Sequence, residues 1–205
     1  FGACTSYDQT ADLKVIAQTI TDPYRKIFRS VGPLNTASLA SGASYTMTIS
    51  DYYASFPSGL ESNIGVGDVI QYDSDDNGSV DSLAFIRARY SSTLYGVVDV
   101  AGNLPTPTTA EDNDWDIFRA YTSMYNAELG LENTGIADAL ENFDTWTNGK
   151  DLVTADQQWN IVCYGDDTDG ERVTVDGWTT DAEHYLRIYT PYLVSEVGIT
   201  QRHSG

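Results

Sequence analysis

The sequence predicts an α+β fold that is predominantly β, and two periodic patterns support this prediction. Over residues 8–31, apolar side chains recur every three to four positions, which is typical of an amphipathic helix. From about residue 44 to residue 104, apolar and polar residues alternate instead, and β-branched and aromatic residues are frequent. Glycine, proline and Asn-Gly signals divide this second region into short segments. We therefore expect an N-terminal helix followed by a small antiparallel β-barrel or sandwich.

The predicted N-terminal helix has a one-sided apolar stripe. Its members are Leu13, Ile16, Ala17, Ile20, Tyr24, Ile27, Phe28 and Val31. Pro23 falls in the middle of the stripe, where it either kinks a single helix or begins a second helix after a Thr21-Asp22 cap. Gly32-Pro33 ends the segment in both cases.

The remaining elements divide the chain into four parts. The predicted strands lie at 67–72, 82–89, 93–100, 159–164, 172–175 and 184–189. Residues 115–124 favour a strand over a helix start, whereas residues 126–143 favour a helix that Gly130 and Gly135 interrupt. A stiff, polar stretch at 104–114 marks the boundary. The predicted parts are a helical segment 1–32, a β-domain 33–104, a linker 105–114 and a β-rich module 115–205.

The 205-residue chain is strongly acidic, with 30 acidic and 11 basic side chains and a net charge of −19. Nucleic acid is almost excluded as a partner, because phosphate contacts need clustered lysine and arginine. No apolar run approaches the roughly 20 residues that span a bilayer. Residues 1–31 differ, because their four basic side chains outnumber their three acidic ones. We expect this segment to dock on an acidic surface, its own or a neighbour's.

The two cysteines, Cys4 and Cys163, lack the spacing of a metal site or a redox motif. We favour a single long-range disulfide between them, because Cys4 lies among small residues with little to bury it. The alternative is two unrelated thiols. A disulfide fits a secreted, extracellular or cell-surface location. The start at Phe1 rather than at a methionine would fit the removal of a leader peptide.

The loop 73–81, between two predicted strands, has the pattern of a calcium-binding loop. Oxygen-bearing side chains occupy alternate positions and Gly78 occupies the sixth, as a tight turn around a hard cation requires. The predicted ligands are Asp73, Asp75, Asn77, Ser79 and Asp81. An EF-hand loop would end with a bidentate glutamate at position 12, which is Ala84 here. The alternative is a plain acidic hairpin turn, because Asn-Gly is itself a strong hairpin signal.

A second acidic loop, at residues 166–171, offers similar chemistry with fewer ligands. Its carboxylates at alternate positions belong to Asp167, Asp169 and Glu171. The alternative is a solvated hairpin tip that holds no metal.

The sequence contains no recognisable catalytic motif, neither HExxH nor GxSxG nor a P-loop nor GxGxxG. Only His184 and His203 titrate near neutral pH, and both lie where structural histidines are common. Carboxylate pairs carry little information, because among 30 acidic residues some pair reaches a glycosidase-like separation by chance. We therefore predict that the chain is not an enzyme.

Several unusual strings lie in the C-terminal half of the chain. They are Asp151-Leu152, Trp159-Asn-Ile-Val-Cys-Tyr164, Val173-Thr-Val-Asp-Gly-Trp-Thr-Thr180, His184-Tyr-Leu-Arg-Ile188 and Gln201-Arg-His-Ser-Gly205. In these strings, residues 114–205 resemble the opening coil of large secreted right-handed parallel β-helix proteins, which are surface or adhesin-like proteins. The resemblance implies a first β-helix coil. Since the family continues into further coils beyond this point, we expect the module to be used alone or completed by a neighbouring subunit.

These observations together predict a non-enzymatic extracellular structural protein, a self-assembling subunit of a surface filament or appendage. The alternative is a carbohydrate-binding or carbohydrate-active module of a secreted β-helix protein. The 14 tyrosines and four tryptophans fit both functions, because subunit interfaces and glycan platforms use these side chains. The expected partners are copies of the chain itself and surface glycans, and calcium is the candidate cofactor.

Overall fold

The computed structural model describes residues 25–111, 113–146 and 149–201. Strands make up 30% and helices 8% of the structure, which confirms a predominantly β fold. The strands are β1 (Arg25–Val31), β2 (Ala40–Ser41), β3 (Thr48–Ser50), β4 (Tyr53–Ser55), β5 (Val69–Tyr72), β6 (Ser82–Arg89), β7 (Leu94–Val98), β8 (Trp115–Phe118), β9 (Gln157–Cys163) and β10 (Leu186–Tyr189). The α-helices are α1 (Met124–Leu129) and α2 (Leu152–Ala155), and short 3-10 turns lie at Gly42–Ser44 and Ile199–Gln201.

Seven strands form an antiparallel sheet in the order β2-β8-β5-β6-β7-β4-β3. The antiparallel arrangement is confirmed, but the sheet is not a closed barrel, because its edge strands β2 and β3 do not pair with each other. Both faces of the sheet are covered. Ile70 packs in one hydrophobic cluster and Val69 in another on the opposite face. Every residue of β5 is therefore buried, and its side chains do not alternate in polarity.

The segment 126–143 covers one face of this sheet and is mostly not helical, contrary to the prediction. Helix α1 ends at Gly130, which adopts the left-handed conformation with φ +65°. Beyond it, Ile136 packs against Phe85 and Phe118 of the sheet. The apolar residues of this segment thus belong to an irregular covering layer.

The other three strands form a parallel sheet in the order β1-β9-β10. Arg25 lies opposite Gln157, and the pairing continues in register to the end of β1. On the other side of β9, Leu186 lies opposite Trp159.

The predicted helix over residues 8–31 is wrong for residues 25–31, which form β1. The rest of that helix, residues 8–24, lies outside the described residues. Ile27 and Val31 point to one face of the strand and Phe28 to the other, and the strand is covered on both faces. A strand buried on both sides need not alternate in polarity, so its apolar spacing imitated a helix.

The predicted strand 172–175 is also wrong, whereas β9 and β10 agree closely with the predicted strands 159–164 and 184–189. Strand β9 has β1 on one side and β10 on the other, so it has no free edge for a further strand. Thr174 and Val175 are exposed in the loop that joins β9 to β10.

The segment 105–114, predicted to be a linker, is fastened to the antiparallel sheet. The backbone N–H of Thr108 donates to the carbonyl of Ile49 at 3.0 Å. The hydroxyl of Tyr72 donates to the carbonyl of Thr106 at 2.5 Å. The division of the chain into four parts stays a prediction.

Arg29 of β1 is buried in a cluster that links the two sheets. Its guanidinium donates to Asp144 through Nε at 2.7 Å and through Nη2 at 2.9 Å. The hydroxyl of Tyr121 also donates to Asp144, at 2.6 Å. The guanidinium carbon lies 3.7 Å from the ring centroid of Phe85, which adds a cation–π contact. The Arg29 and Asp144 side chains are 1% and 4% exposed.

Arg119, just after β8, is the centre of a second buried cluster. Its Nη1 lies 2.8 Å from Asp68, and its Nε and Nη2 form a bidentate pair with Asp166 at 2.8 and 3.0 Å. The guanidinium also stacks 3.6 Å from the ring centroid of Tyr164. Complete burial raises the pKa of Asp68, although Arg119 acts in the opposite direction. Burial also opposes ionisation of Asp166, but its hydrogen bonds to Arg119 outweigh this and lower its pKa.

Candidate metal site

The candidate metal site lies in the loop 73–81 that joins β5 to β6. Tyr72 pairs with Ser82, so the loop closes the hairpin that the Asn-Gly signal predicts. Asp76 and Gly78 have φ values of +62° and +82°, in the left-handed region that allows the loop to fold back on itself.

Asp73 lies at the centre of this loop and is 1% exposed. Its Oδ1 accepts from the backbone N–H groups of Asp75 and Asp76 at 3.1 and 2.8 Å. Its Oδ2 accepts from those of Gly78 and Ser79 at 2.5 and 3.1 Å. Burial alone would raise the pKa of Asp73, but these four hydrogen bonds lower it overall. The carboxylate is therefore held ionised and in a fixed orientation.

Two further carboxylates converge on Asp73. One oxygen from each of Asp73, Asp75 and Asp81 lies within 4.8 Å of the others. Asp81 is oriented by Ser74, whose backbone N–H and hydroxyl both donate to it at 3.0 Å. The pKa of Asp75 is raised, first by desolvation and then by the neighbouring Asp73 and Asp81. A divalent cation would relieve this repulsion.

The structure therefore brings together three of the five predicted ligands. Asn77 and Ser79 are exposed on the same turn. Ala84, at the position of the EF-hand glutamate, is fully buried in β6. Any cation held here would be bound by the loop itself, with water completing its shell.

Among the described residues, the second acidic loop does not form a comparable cluster of carboxylates. Asp169 Oδ2 accepts from the backbone N–H of Met124 at 2.8 Å, and Asp167 accepts from that of Thr168 at 2.6 Å. These carboxylates satisfy local backbone donors. No metal site is proposed for Asp167, Asp169 and Glu171.

Cys163, at the end of β9, carries a free thiol, so the predicted disulfide is not present at this residue. The sulfur lies 3.7 Å from Sδ of Met124, and burial raises the pKa of the thiol to about 11. The predicted partner, Cys4, lies outside the described residues. The thiol is packed as a small apolar side chain.

His184 bridges two carboxylates next to β10. Its Nδ1 lies 2.8 Å from Asp181 and its Nε2 lies 3.1 Å from Asp156. These hydrogen bonds raise the pKa of His184, and the pKa of Asp181 is lowered to about 2, chiefly by a bond from the backbone N–H of His184. The histidine therefore fastens the start of β10 to the end of α2, a structural role. His203 lies outside the described residues.

No protein-family model matches the chain, and neither characterised proteins nor solved structures give a significant match. In the described ranges, no helix has the length and apolar character needed to cross a membrane.

Proposed function

We propose that the chain is a non-enzymatic extracellular structural protein that assembles with copies of itself through strand β10. The observation that carries this proposal is an open, apolar sheet edge. In the described part of the chain, β10 has a neighbouring strand on one side only. Ile188 in β10 is 46% exposed, and Tyr192, Leu193 and Val194 just beyond it are 54, 44 and 63% exposed. Exposed apolar edges of this kind accept an added strand from another chain.

The ladder of hydrogen bonds identifies the backbone groups that a second copy would meet. The backbone N–H of Trp159 donates to the carbonyl of Tyr185 at 3.0 Å. In a parallel ladder, the backbone groups of alternate residues in one strand bond to the same neighbouring strand. The backbone N–H and C=O groups of Arg187 therefore also point toward β9. The N–H and C=O groups of Leu186 and Ile188 then point away from β9, toward the open side.

The spacing of the parallel strands fits the resemblance to a β-helix and supports this proposal. Leu186 lies 27 positions after its partner Trp159, a step within the range of repeats that stack in solenoids. Strand β1 lies on the other side of β9 in the same parallel sense. A strand from a second copy on β10 would continue the stack.

Strand β1, the described end of the N-terminal segment, is a poor candidate for the assembly contact. Arg29 supplies part of its positive charge, and this side chain is buried in an ion pair with Asp144 of the same chain. Residues 25–31 belong to the chain's own sheet, and the docking of the N-terminal segment on a neighbour stays a prediction. Residues 1–24 lie outside the described residues.

Replacing Ile188 with lysine is expected to abolish assembly without changing the fold. A lysine on an edge strand blocks pairing, because its charge would be buried against the incoming chain. Sedimentation velocity and negative-stain microscopy over a concentration series measure assembly, and the melting temperature reports the fold.

Leu131→Lys is the matched control, because Leu131 is 51% exposed and lies outside β10. The control should assemble as the wild-type chain does. A wild-type chain that stays monomeric at high concentration, or an Ile188→Lys variant that assembles normally, would contradict the proposal.

We also propose that the loop 73–81 binds calcium and thereby stiffens the β5–β6 hairpin. The convergence of Asp73, Asp75 and Asp81 supports this proposal. With no glutamate at position 12, we expect a dissociation constant of about 10⁻⁴–10⁻³ M, as in other extracellular modules.

Calcium at about 10 mM is expected to raise the melting temperature by about 3–10 °C, from the free energy of binding at that affinity. Asp75→Asn should remove this gain, because it deletes one of the three convergent carboxylates. Differential scanning calorimetry with and without calcium measures both effects. Asp138→Asn is the control, since Asp138 is exposed and lies outside the loop. If the Asp75→Asn variant shows a calcium response of equal size, the proposal is contradicted and the loop is a plain hairpin turn.

A carbohydrate-binding function is the second candidate, and one cleft favours it. Trp178 and Tyr185 line a cleft of about 330 Å³ together with Asp176 and Thr180. Aromatic faces beside a few polar groups are typical of small-molecule sites. A monomeric chain that is retained on an immobilised polysaccharide would favour this function over self-assembly.

A further inference from the structure

A cleft of about 340 Å³ lies over one face of the parallel sheet, outside the candidate metal site. Its volume is at the lower end of the range of small-molecule sites. Gln158 and Asn160 of β9 contribute to its lining, and they are 3% and 1% exposed. They lie two positions apart on one strand, so both side chains point to the same face of the sheet. The cleft therefore has polar carboxamide groups in its floor.

Three basic side chains surround this floor, namely Lys26 of β1, Arg87 of β6 and Arg187 of β10. Strands β1 and β10 flank β9, so their positions lie about 10 Å apart across the sheet. Arg87 stands at an irregularity in the pairing of β6 with β7, between Ile86 and Ala88. Bulges of this kind redirect a side chain.

The concentration of positive charge is unusual for this chain. Only 11 of its residues are basic, and the net charge is −19. Arg29 and Arg119 each form a buried ion pair with an aspartate. Three of the remaining basic residues nevertheless meet at one cleft, where a single carboxylate, Glu196, is part of the lining.

The two arginines of the cleft have no carboxylate partner within the ranges 25–111, 113–146 and 149–201. Arg187 stacks 3.8 Å from the ring centroid of Tyr189, and Arg87 lies 5.1 Å from that of Tyr52. Stacking orients a guanidinium while leaving its N–H edge available for hydrogen bonds. Glu196 Oε2 accepts from the backbone N–H groups of Tyr192 and Leu193, each at 3.0 Å, and the described residues show no salt bridge between Glu196 and either arginine.

We propose that this cleft binds a small polyhydroxylated carboxylic acid, with its carboxylate held by Arg87 and Arg187. A planar carboxylate matches the fork of a guanidinium. Asn160 Nδ2 already donates to the carbonyls of Ile27 and Gln158, at 3.3 and 3.4 Å. The side-chain oxygen of Asn160, the carboxamide of Gln158 and the hydroxyl of Tyr185 suit the hydroxyl groups of such a ligand. Large polyanions are disfavoured, because the net charge of the chain repels them. The site does not depend on self-assembly or on calcium.

Isothermal titration calorimetry with D-glucuronate as the probe tests this proposal. D-Glucose is the matched neutral compound, because it differs from the probe only in having a hydroxymethyl group in place of the carboxylate. Glucuronate is expected to bind and glucose to show no measurable binding. The affinity for glucuronate should weaken several-fold when the salt concentration rises from about 20 to about 300 mM. Free glucuronate is also compared with a disaccharide that ends in glucuronate. Tighter binding of free glucuronate indicates a free acid as the ligand, and tighter binding of the disaccharide indicates a sugar unit of a glycan.

Arg87→Gln and Arg187→Gln are each expected to weaken glucuronate binding about tenfold, the size of one charge-assisted contact. Arg172→Gln is the control with the same change of charge, because Arg172 is exposed and is not part of the cleft lining. Unchanged melting temperatures would show that the variants are folded. Equal binding of glucose and glucuronate, sulfate binding as tight as that of glucuronate, or an equal loss in Arg172→Gln would overturn the proposal.

Discussion

Arg119→Met is expected to lower the free energy of unfolding by about 3–5 kcal/mol, because it leaves Asp68 and Asp166 without their cation. Asp68 is fully buried, so water does not replace the guanidinium there. Since Asp68 lies just before β5 and Asp166 just after β9, the variant loosens the junction of the two sheets. For a chain of this size the melting temperature should fall by roughly 10 °C or more.

Urea unfolding followed by circular dichroism measures this loss. Arg172→Met is the control, since Arg172 is exposed, and it should change the stability little. Adding Asp68→Asn to Arg119→Met should recover part of the loss, because one unpaired buried charge is removed. A loss in Arg119→Met no larger than that in the control would show that the cluster contributes little.

Asp144→Ala is expected to be similarly destabilising, by about 3–5 kcal/mol, because Arg29 is then buried without a counter-charge. The hydroxyl of Tyr121 also loses its acceptor. The cation–π contact with Phe85 remains and offsets a part of the loss. Thermal unfolding measures the effect.

Asp138→Ala is the control for this variant, since Asp138 is exposed. Near-ultraviolet circular dichroism gives a second, local readout, because the Arg29 guanidinium lies 5.3 Å from the ring centroid of Trp159. Unchanged stability and an unchanged aromatic spectrum in Asp144→Ala would contradict the assigned role of the ion pair.

The elements predicted correctly from the sequence are those fixed by local information. The strands of the β5–β6 hairpin follow from their β-branched and aromatic residues and from the Asn77-Gly78 turn, and β6 has the predicted bounds 82–89. Residues 25–31 were mistaken for a helix because a strand covered on both faces has no alternation of polarity. The number of covering layers is a tertiary property, so no local pattern reveals it.

The same distinction applies to the sites. The candidate calcium ligands lie within nine consecutive residues, so their spacing alone predicted the convergence of Asp73, Asp75 and Asp81. The basic cleft escaped prediction because Lys26, Arg87 and Arg187 come from three distant segments. The pairing of Arg29 with Asp144 joins residues 115 positions apart, and neither residue stands in a recognisable motif.

The register of the parallel sheet also dictates an order of folding. Strand β1 pairs with β9 only after Gln157, the partner of Arg25, has been synthesised 132 positions later in the chain. At about 5–20 residues per second, a ribosome needs roughly 7–26 s to make that stretch. The hairpins of the antiparallel sheet close over short distances and therefore form first. During synthesis, β1 is consequently among the last of the described strands to be fixed, because it has no strand partner until β9 is made.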